Sequence, residues 1–248
     1  MLHQTIWANN LIINYLLGAT HAEETSAWLH PQLSIMATIY EIHPQTPQIR
    51  KIDEIVAALK NGAVMLYPTD TVYAIGCDLN SKSAIDRVRK IKQMSNDKPL
   101  TFLCQSLSNI SEYAIVSDPA YRLMKHLIPG TYTFILPATK LVPKLVQDPK
   151  RKTTGIRVPK HVLSQALLET LGNPVISASA HIQDEDGDEP IENVEKAVLF
   201  DRLNKLVDII IDDSSEPGVA GSTILDMTID PPEVIREGLG WSEVAAWL

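Results

Sequence analysis

Two segments of the chain place hydroxyl side chains where an apolar, strand-like run ends. Thr69 follows the run 63–67, and the run 175–179 ends in Ser177 and Ser179. Ligands of open α/β sheets usually bind at such strand ends. Small hydroxyl residues there let backbone amides approach an anion closely. Each segment alone is also typical of an ordinary turn, so the interpretation as a binding site depends on their combination with charged segments.

Arg157 stands inside the strand-like run 155–158 and is its candidate for an inward-facing charge. A guanidinium in an apolar strand costs free energy unless an anion pairs with it. The partner is a carboxylate either of a ligand or of the protein itself, and the sequence leaves both open. The residues before this strand, 150–154, read Lys-Arg-Lys-Thr-Thr, which makes the approach to it basic and rich in hydroxyls.

A basic cluster occupies a predicted helix over 82–94 and the loop after it. Lys92 falls in the last turn of that helix, where a cation complements the helix dipole. The alternative is that Lys92 reaches into a cleft as a point charge on phosphate. The other members of the cluster are Arg87, Arg89, Lys90 and Lys98.

The motifs of common nucleotide and metal sites are missing. Neither GxxxxGK[ST] nor GxGxxG occurs, so any triphosphate must be held by side chains. The seven histidines show no HExxH or paired spacing, which predicts that the protein itself binds no metal. Cys77 and Cys104 lie far apart in apolar runs and are expected to be buried structural thiols.

Size and charge set further limits on function. A chain of 248 residues with 45% hydrophobic content can bury the core of a pocketed enzyme. The net charge of −8 excludes a protein whose whole surface binds nucleic acid, although it allows a local basic patch. No apolar run reaches the roughly 18 to 20 residues that cross a bilayer, so no membrane association is expected and the predicted location is cytoplasmic.

The first 35 residues are interpreted separately from the rest. Residues 11–22 resemble the short apolar core of a secretory signal, but no Lys or Arg precedes them, and Asn9, Asn10 and Asn14 interrupt the apolar pattern. The alternatives are an upstream extension or disordered tail, a helix packed on the domain, and a targeting segment. Residues 37–248 are predicted to form one domain, because no linker rich in Pro, Gly or Ser divides them. The acidic stretch 184–189 predicts a surface loop.

Strand-like runs alternate with helical patterns after Ile39, which predicts a mixed α/β fold. Asn61-Gly62 is expected to end the first helix and Ser81 to cap the second. The predicted strands are 63–67, 100–104, 132–136, 155–158, 175–179, 207–211, 222–226 and 233–236. The predicted helices are 49–60, 82–94, 119–127, 161–171 and 191–205.

Taken in order, six motifs between about residues 49 and 238 resemble those of the YrdC/Sua5 family. The motifs are YPTDTVYAIGCD at 67–78, PGTYTFIL at 129–136, TTGIRVP at 153–159, SASAH at 177–181, GSTILD at 221–226 and VIREG at 234–238. Each is loose, but their order and spacing together are specific. The segments KIKQM at 90–94 and LMKHLIPGTYTFIL at 123–136 resemble the bacterial YciO branch of the family.

The resemblance implies a YrdC-like (DHBP synthase-like) α/β fold, in which helices flank a twisted mixed sheet with a basic concave cleft. It also implies a synthase that joins L-threonine, bicarbonate and ATP into threonylcarbamoyl-AMP and pyrophosphate. That reaction is the first step of a tRNA modification next to the anticodon. Mg²⁺ is expected to accompany the nucleotide, held mainly by phosphates and water.

Carried over by position, the resemblance also implies roles for individual residues. Those expected around the threonine are Thr69, Arg157, Ser177 and Ser222, with Arg157 pairing the substrate carboxylate. Those expected on ATP are Lys92, Thr153, Ser179 and Arg236. Lys92 and Arg157 are the expected catalytic residues.

Three positions depart from the family pattern. The Lys-x-Arg pair of the family stands here as Lys92-Gln93-Met94, so one phosphate-binding cation is missing. His181 replaces an asparagine, and Leu103 stands where a histidine is common. Losing one desolvated cation from a triphosphate site costs about 3 kcal/mol, on the scale of removing one electrostatic donor.

These departures leave a second hypothesis open, in which the protein binds double-stranded RNA or tRNA, or assists ribosome assembly, without robust catalysis. Proteins recognise duplex RNA mostly by its shape and backbone. The residues predicted to form an RNA groove are Arg87, Arg89, Lys90, Lys150, Arg151 and Lys152.

Overall fold

The computed structural model describes residues 36–95, 97–181 and 194–247. The predictions for residues 1–35 and for the acidic loop 184–189 lie outside these ranges. In the described ranges the helices are α1 Ile49–Lys60, α2 Lys82–Ile91, α3 Leu107–Tyr113, α4 Asp118–Leu127, α5 Val162–Leu171, α6 Lys196–Leu203 and α7 Trp241–Ala245. The strands are β1 Thr38–Glu41, β2 Met65–Tyr67, β3 Ala74–Gly76, β4 Thr101–Leu103, β5 Tyr132–Pro137, β6 Thr153–Arg157, β7 Val175–Ile176, β8 Ala178–Ser179, β9 Ile209–Asp212, β10 Thr223–Asp226 and β11 Glu233–Arg236.

The strands form two mixed sheets, flanked by helices. The order of the first sheet is β1-β9-β2-β3-β8, and the order of the second is β11-β10-β5-β6-β4-β7. In the second sheet, parallel pairs such as β4 with β6 alternate with antiparallel pairs such as β5 with β6. The predicted fold class is confirmed, although the strands are divided between two sheets instead of forming one.

The run 175–179 does not form the single strand that the sequence predicted. Val175 and Ile176 pair with β4 of the second sheet, whereas Ala178 and Ser179 pair with β3 of the first. Ser177 lies between them, and its amide donates to the Thr101 carbonyl at 2.9 Å. The chain therefore passes from one sheet to the other at a single residue.

The ends of α1 and α2 follow from local backbone chemistry. Asn61 ends α1, and Gly62 after it has a φ of +90°, a conformation that glycine adopts without strain. Ser81 caps α2 and accepts from the Ala84 amide at 3.4 Å, as predicted. The helix ends at Ile91 rather than residue 94, because Gln93 takes a φ of +49° that breaks the helical path.

Two buried apolar clusters hold the described elements together. One includes Phe102 and Phe134 of the second sheet and Ile85 of α2. The other joins α1 and α5 to strands of both sheets and includes Tyr67. Cys77 and Cys104 are buried free thiols, as predicted, and burial raises the pKa of each. No helix among the described residues has the length and apolar character to cross a bilayer.

The predicted elements omit β1, β3, α3 and α7. These elements are short, at four, three, seven and five residues, so each offers little periodicity to detect. Strand β1 is also mostly exposed, which hides the usual alternation of buried and exposed residues. Their places in the fold come from tertiary pairing, such as that of β1 with β9.

Arg89 is a structural residue, which corrects its predicted place in an RNA groove. Its side chain is buried, and its guanidinium donates to the carbonyls of Lys98 at 2.9 Å and Leu145 at 3.0 Å, and to that of Ser95. Arg89 therefore ties α2 to the loop after it and to the segment before β6. A side chain so enclosed is not available to RNA.

Replacing Arg89 by Met is expected to lower the free energy of unfolding by about 2 kcal/mol or more, because three backbone carbonyls lose the charged donor that the buried Arg89 provides. Urea denaturation followed by circular dichroism measures this change. Lys90→Met is the matched control, since Lys90 is exposed on the same helix, and it is expected to change stability by less than about 0.5 kcal/mol. Equal stability of the two variants would contradict the structural role of Arg89.

Candidate functional site

A cavity of about 300 Å³ lies where the two sheets meet. The first sheet contributes Ala74 and Ser179, and the second contributes strands β4, β5, β6 and β10. Seven of the eight residues predicted for substrate binding line this cavity: Thr69, Lys92, Arg157, Ser177, Ser179, Ser222 and Arg236. Residues far apart in the chain therefore converge on one concave surface.

Hydroxyl groups of the second sheet line part of the cavity. Thr101 of β4 and Thr133 of β5 face it, on either side of Gly155 in β6. A Cβ atom at Gly155 would come within 2.6 Å of Thr101 Oγ1 and 3.4 Å of Thr133 Cγ2. Glycine at this position therefore leaves room for both threonines. Thr101 and Thr133 were not predicted as site residues, although a threonine inside an apolar strand is the signal that could have found them.

Arg157 lies in the cavity wall with a carboxylate of the protein as its partner. Its guanidinium donates to the Asp70 carboxylate, to Thr71 Oγ1 at 2.8 Å and to the Gly130 carbonyl at 3.3 Å. Asp70 also accepts from the amide of Lys160 at 2.8 Å. The sequence left open whether the carboxylate that pairs with Arg157 belongs to a ligand or to the protein. In the structure, Asp70 of the protein provides it. These contacts fix the direction of the guanidinium.

Lys92 follows α2 as its C-cap residue. This position is compatible with both predicted roles, a cation that complements the helix dipole and a point charge on phosphate. Its half-buried ammonium lines the cavity and donates to the carbonyl of His181. Burial disfavours the charged form and lowers the pKa of Lys92 to about 8. An anion in the cavity would stabilise the charged form.

Arg236 reaches the cavity from β11, at the edge of the second sheet. Its guanidinium donates to the Ser222 carbonyl at 3.0 and 2.8 Å and to Ser222 Oγ at 3.3 Å. A Cβ atom at Gly221 would lie 2.7 Å from this guanidinium, so the glycine makes room for it. Burial, and then the positive charge of the nearby Arg157, lower the pKa of Arg236.

The remaining predicted hydroxyls differ in their placement. Thr69 Oγ1 lies 2.6 Å from the Val72 carbonyl, and Ser222 Oγ lies 2.8 Å from Thr133 Oγ1. The predicted contact of Thr153 with ATP needs correction, because Thr153 is buried at the start of β6 and does not line the cavity. It lies on the same face of β6 as Arg157, four residues earlier.

All three positions that depart from the family pattern face the cavity. Met94, Leu103 and His181 each line it. Leu103 pairs directly with Arg157 in the register of β4 and β6. The departures therefore change the binding surface itself.

Much of the predicted RNA groove is engaged within the protein. Arg87 pairs with Asp208 at 2.7 and 3.0 Å, and Arg151 pairs with the Asp226 carboxylate. The exposed members that remain are Lys90, Lys150 and Lys152. Binding of RNA stays a prediction.

The described residues do not offer a protein-bound metal site. They contain no group of three or more His, Cys, Asp or Glu side chains placed to hold a metal ion. The residues that line the cavity include no carboxylate.

Comparison with known proteins identifies the family. The Sua5/YciO/YrdC family model, described as “Telomere recombination”, matches residues 57–238. The chain belongs to this family. The family resemblance that was deduced from the motifs is thereby confirmed. The match spans most of the part of the chain that the structure describes.

Members of the Sua5/YciO/YrdC family resemble the chain to different degrees. The uncharacterized protein YciO of Escherichia coli K12 is 42% identical over 83% of this chain and 97% of its own length. Its crystal structure matches with a TM-score of 0.75 at 40% identity over the same shares. The threonylcarbamoyl-AMP synthase of Vibrio vulnificus YJ016 is 30% identical over 66% of this chain and 86% of its own.

A more distant structure supports the fold of this family. The crystal structure of P. abyssi Sua5 complexed with L-threonine matches with a TM-score of 0.75 at 24% identity. The match covers 85% of this chain and 60% of that one. The arrangement of the two sheets is thus shared with a protein of much lower sequence identity.

Lys92 is expected to titrate at a pH of about 8, because burial disfavours its ammonium form. NMR of protein labelled with ¹³C at lysine Cε follows this titration, and the resonance missing from Lys92→Arg assigns it. Inorganic pyrophosphate is expected to raise the pKa of Lys92, since an anion stabilises the charged amine. A Lys92 resonance that titrates together with the exposed lysines would contradict the described environment.

Proposed function

We propose that this protein is an ATP-dependent synthase that joins L-threonine, bicarbonate and ATP into threonylcarbamoyl-AMP and pyrophosphate. The observation that carries the proposal is the charge of the cavity, where Lys92, Arg157 and Arg236 meet without a carboxylate among the lining residues. The V. vulnificus relative of that name, at 30% identity, supports the choice of reaction. The product would serve the modification of tRNA.

A polyphosphate is the ligand that this charge pattern favours. Arg157 is already paired with Asp70, so Lys92 and Arg236 provide the uncompensated positive charge. Lys92 is partly withdrawn from water, and electrostatic attraction is stronger there than at an exposed surface. Under the proposal, these two cations contact the phosphates of ATP, with Ser179 at the cavity wall.

Arg157 keeps donors for the carboxylate of an amino acid. Its hydrogen bonds to Gly130, Thr71 and Asp70 use one N–H each from Nε, Nη1 and Nη2, whereas a guanidinium has five N–H donors. The remaining donors can form charge-assisted hydrogen bonds with a substrate carboxylate. Thr69, Ser177 and Ser222 line the same cavity and would surround the threonine.

The reaction requires no nucleophile from the protein. It requires that the protein align the carbamate with the α-phosphorus of ATP. The carbamate formed from threonine and bicarbonate attacks the α-phosphorus of ATP, and pyrophosphate leaves. Holding the two reactants in line accounts for much of the rate in such transfers. Cations placed where charge develops on the leaving group lower the barrier further, which is the role proposed for Lys92 and Arg236.

The cavity does not fit a resident Mg²⁺ ion. Its lining residues include no carboxylate, and carboxylates are the side chains through which proteins usually hold this ion. Mg²⁺ is therefore proposed to arrive as part of the nucleotide substrate, and no step depends on a metal held by the protein.

Replacing Lys92 or Arg157 by Ala is expected to reduce kcat/KM for pyrophosphate release by roughly 10²-fold or more, because each removes a desolvated cation from the reacting charges. The assay measures pyrophosphate with ATP, L-threonine, bicarbonate and Mg²⁺ present. Lys90→Ala is the matched control, since Lys90 is exposed on α2 outside the cavity, and it is expected to retain activity. Absence of threonine-dependent turnover in the wild type would refute the proposed reaction.

Met94→Arg is expected to tighten ATP binding by about tenfold or more, because it adds a cation to the cavity wall. Isothermal titration of ATP and threonine, separately and together, measures the change. Thr170→Arg adds the same charge on an exposed part of α5 outside the cavity and is expected to leave affinity nearly unchanged. An equal gain in both variants would attribute the effect to net charge and contradict the proposed position of the phosphates.

A further inference from the structure

The amine of Lys92 has an unusual environment for a lysine. It is half-buried and faces the cavity, and within the described residues its hydrogen bond is to the carbonyl of His181. No carboxylate of those residues forms an ion pair with it, and none lines the cavity. Among the described residues, therefore, no carboxylate stabilises the charged form of this amine.

A substantial share of Lys92 is neutral near physiological pH. With a pKa of about 8, roughly a tenth of the molecules carry the free amine at pH 7, compared with about one in 2,500 for an ordinary lysine. The free amine is the nucleophilic form. It can donate one N–H to the His181 carbonyl and still direct its lone pair elsewhere.

We propose that Lys92 is a site of reversible carbamylation by carbon dioxide, which enters the cavity and reacts with the neutral amine. The amine nitrogen forms a bond to the carbon of CO₂, and one carbon–oxygen π bond becomes the lone pair of a carboxylate oxygen. One proton leaves the nitrogen for bicarbonate or water. The product is a lysine carbamate, and no oxidant, reductant or metal takes part.

The cavity suits the product as well as the reactant. Carbamylation turns a cation into an anion, and the same cavity holds the guanidinium groups of Arg157 and Arg236. Hydroxyl donors of Ser177 and Ser179 also line it. An anionic Lys92 would repel phosphates, so the carbamylated protein is expected to bind anions more weakly than the free amine form. This inference goes beyond the proposed function, because it requires neither ATP nor threonine.

The test equilibrates the complete protein with ¹³C-labelled bicarbonate at constant ionic strength and records ¹³C NMR spectra between pH 7 and 9. A carbamate resonance, distinct from those of CO₂ and bicarbonate, is expected in the wild type and in Lys90→Arg. It is expected to be absent from Lys92→Arg, which keeps the charge but cannot form the adduct under these conditions. A resonance of equal intensity in the wild type and Lys92→Arg would overturn the proposal.

Chemical trapping makes the result independent of whether a variant folds. Alkylation of the wild type with triethyloxonium converts a carbamate into a stable ester, and mass spectrometry of peptides locates it. An ester on Lys92 that requires bicarbonate supports the proposal, and esters on other amines alone refute it. A protein that forms the adduct but shows no threonine-dependent pyrophosphate release would separate this inference from the proposed reaction.

Discussion

The constraint on which the site depends is the placing of three basic side chains in one partly dehydrated cavity. Each has a different partner within the protein: Arg157 the Asp70 carboxylate, Arg236 the Ser222 carbonyl, and Lys92 the His181 carbonyl. Removing one partner of a buried pair costs far more than the pair gains, so Asp70 is as necessary to the cavity as Arg157. The wall of the site is consequently a network in which the Asp70 carboxylate holds Arg157 in place.

Sequence patterns predicted the parts of the structure that depend on local chemistry. The start and end of α1, the cap at Ser81 and the buried cysteines follow from residues within a few positions of each other. The convergence of Lys92, Arg157 and Arg236 was predicted from motifs whose order matches a family, because spacing alone cannot place distant segments together. The fold class was likewise predicted from local sequence patterns and from the order of the family motifs.

The features that the sequence did not predict depend on contacts between distant segments. Asp70 and Arg157 are 87 positions apart, and Arg89 meets Leu145 at 56 positions, so neither partner is visible in a local pattern. A basic residue on a polar helix resembles a surface residue until its neighbours are known. The division of 175–179 between two sheets likewise follows from pairing partners that lie elsewhere in the chain.

Ser177 joins β7 of one sheet to β8 of the other, and the cavity takes its walls from both. The binding surface is therefore a property of how the two sheets meet, and neither sheet carries it alone. A designer who transplanted the hydroxyl-lined strands of the second sheet into another scaffold would move half of a pocket. A substitution at a single lining residue such as Met94 or Leu103 would change one part of the cavity surface, whereas a shift at the junction would move both walls at once.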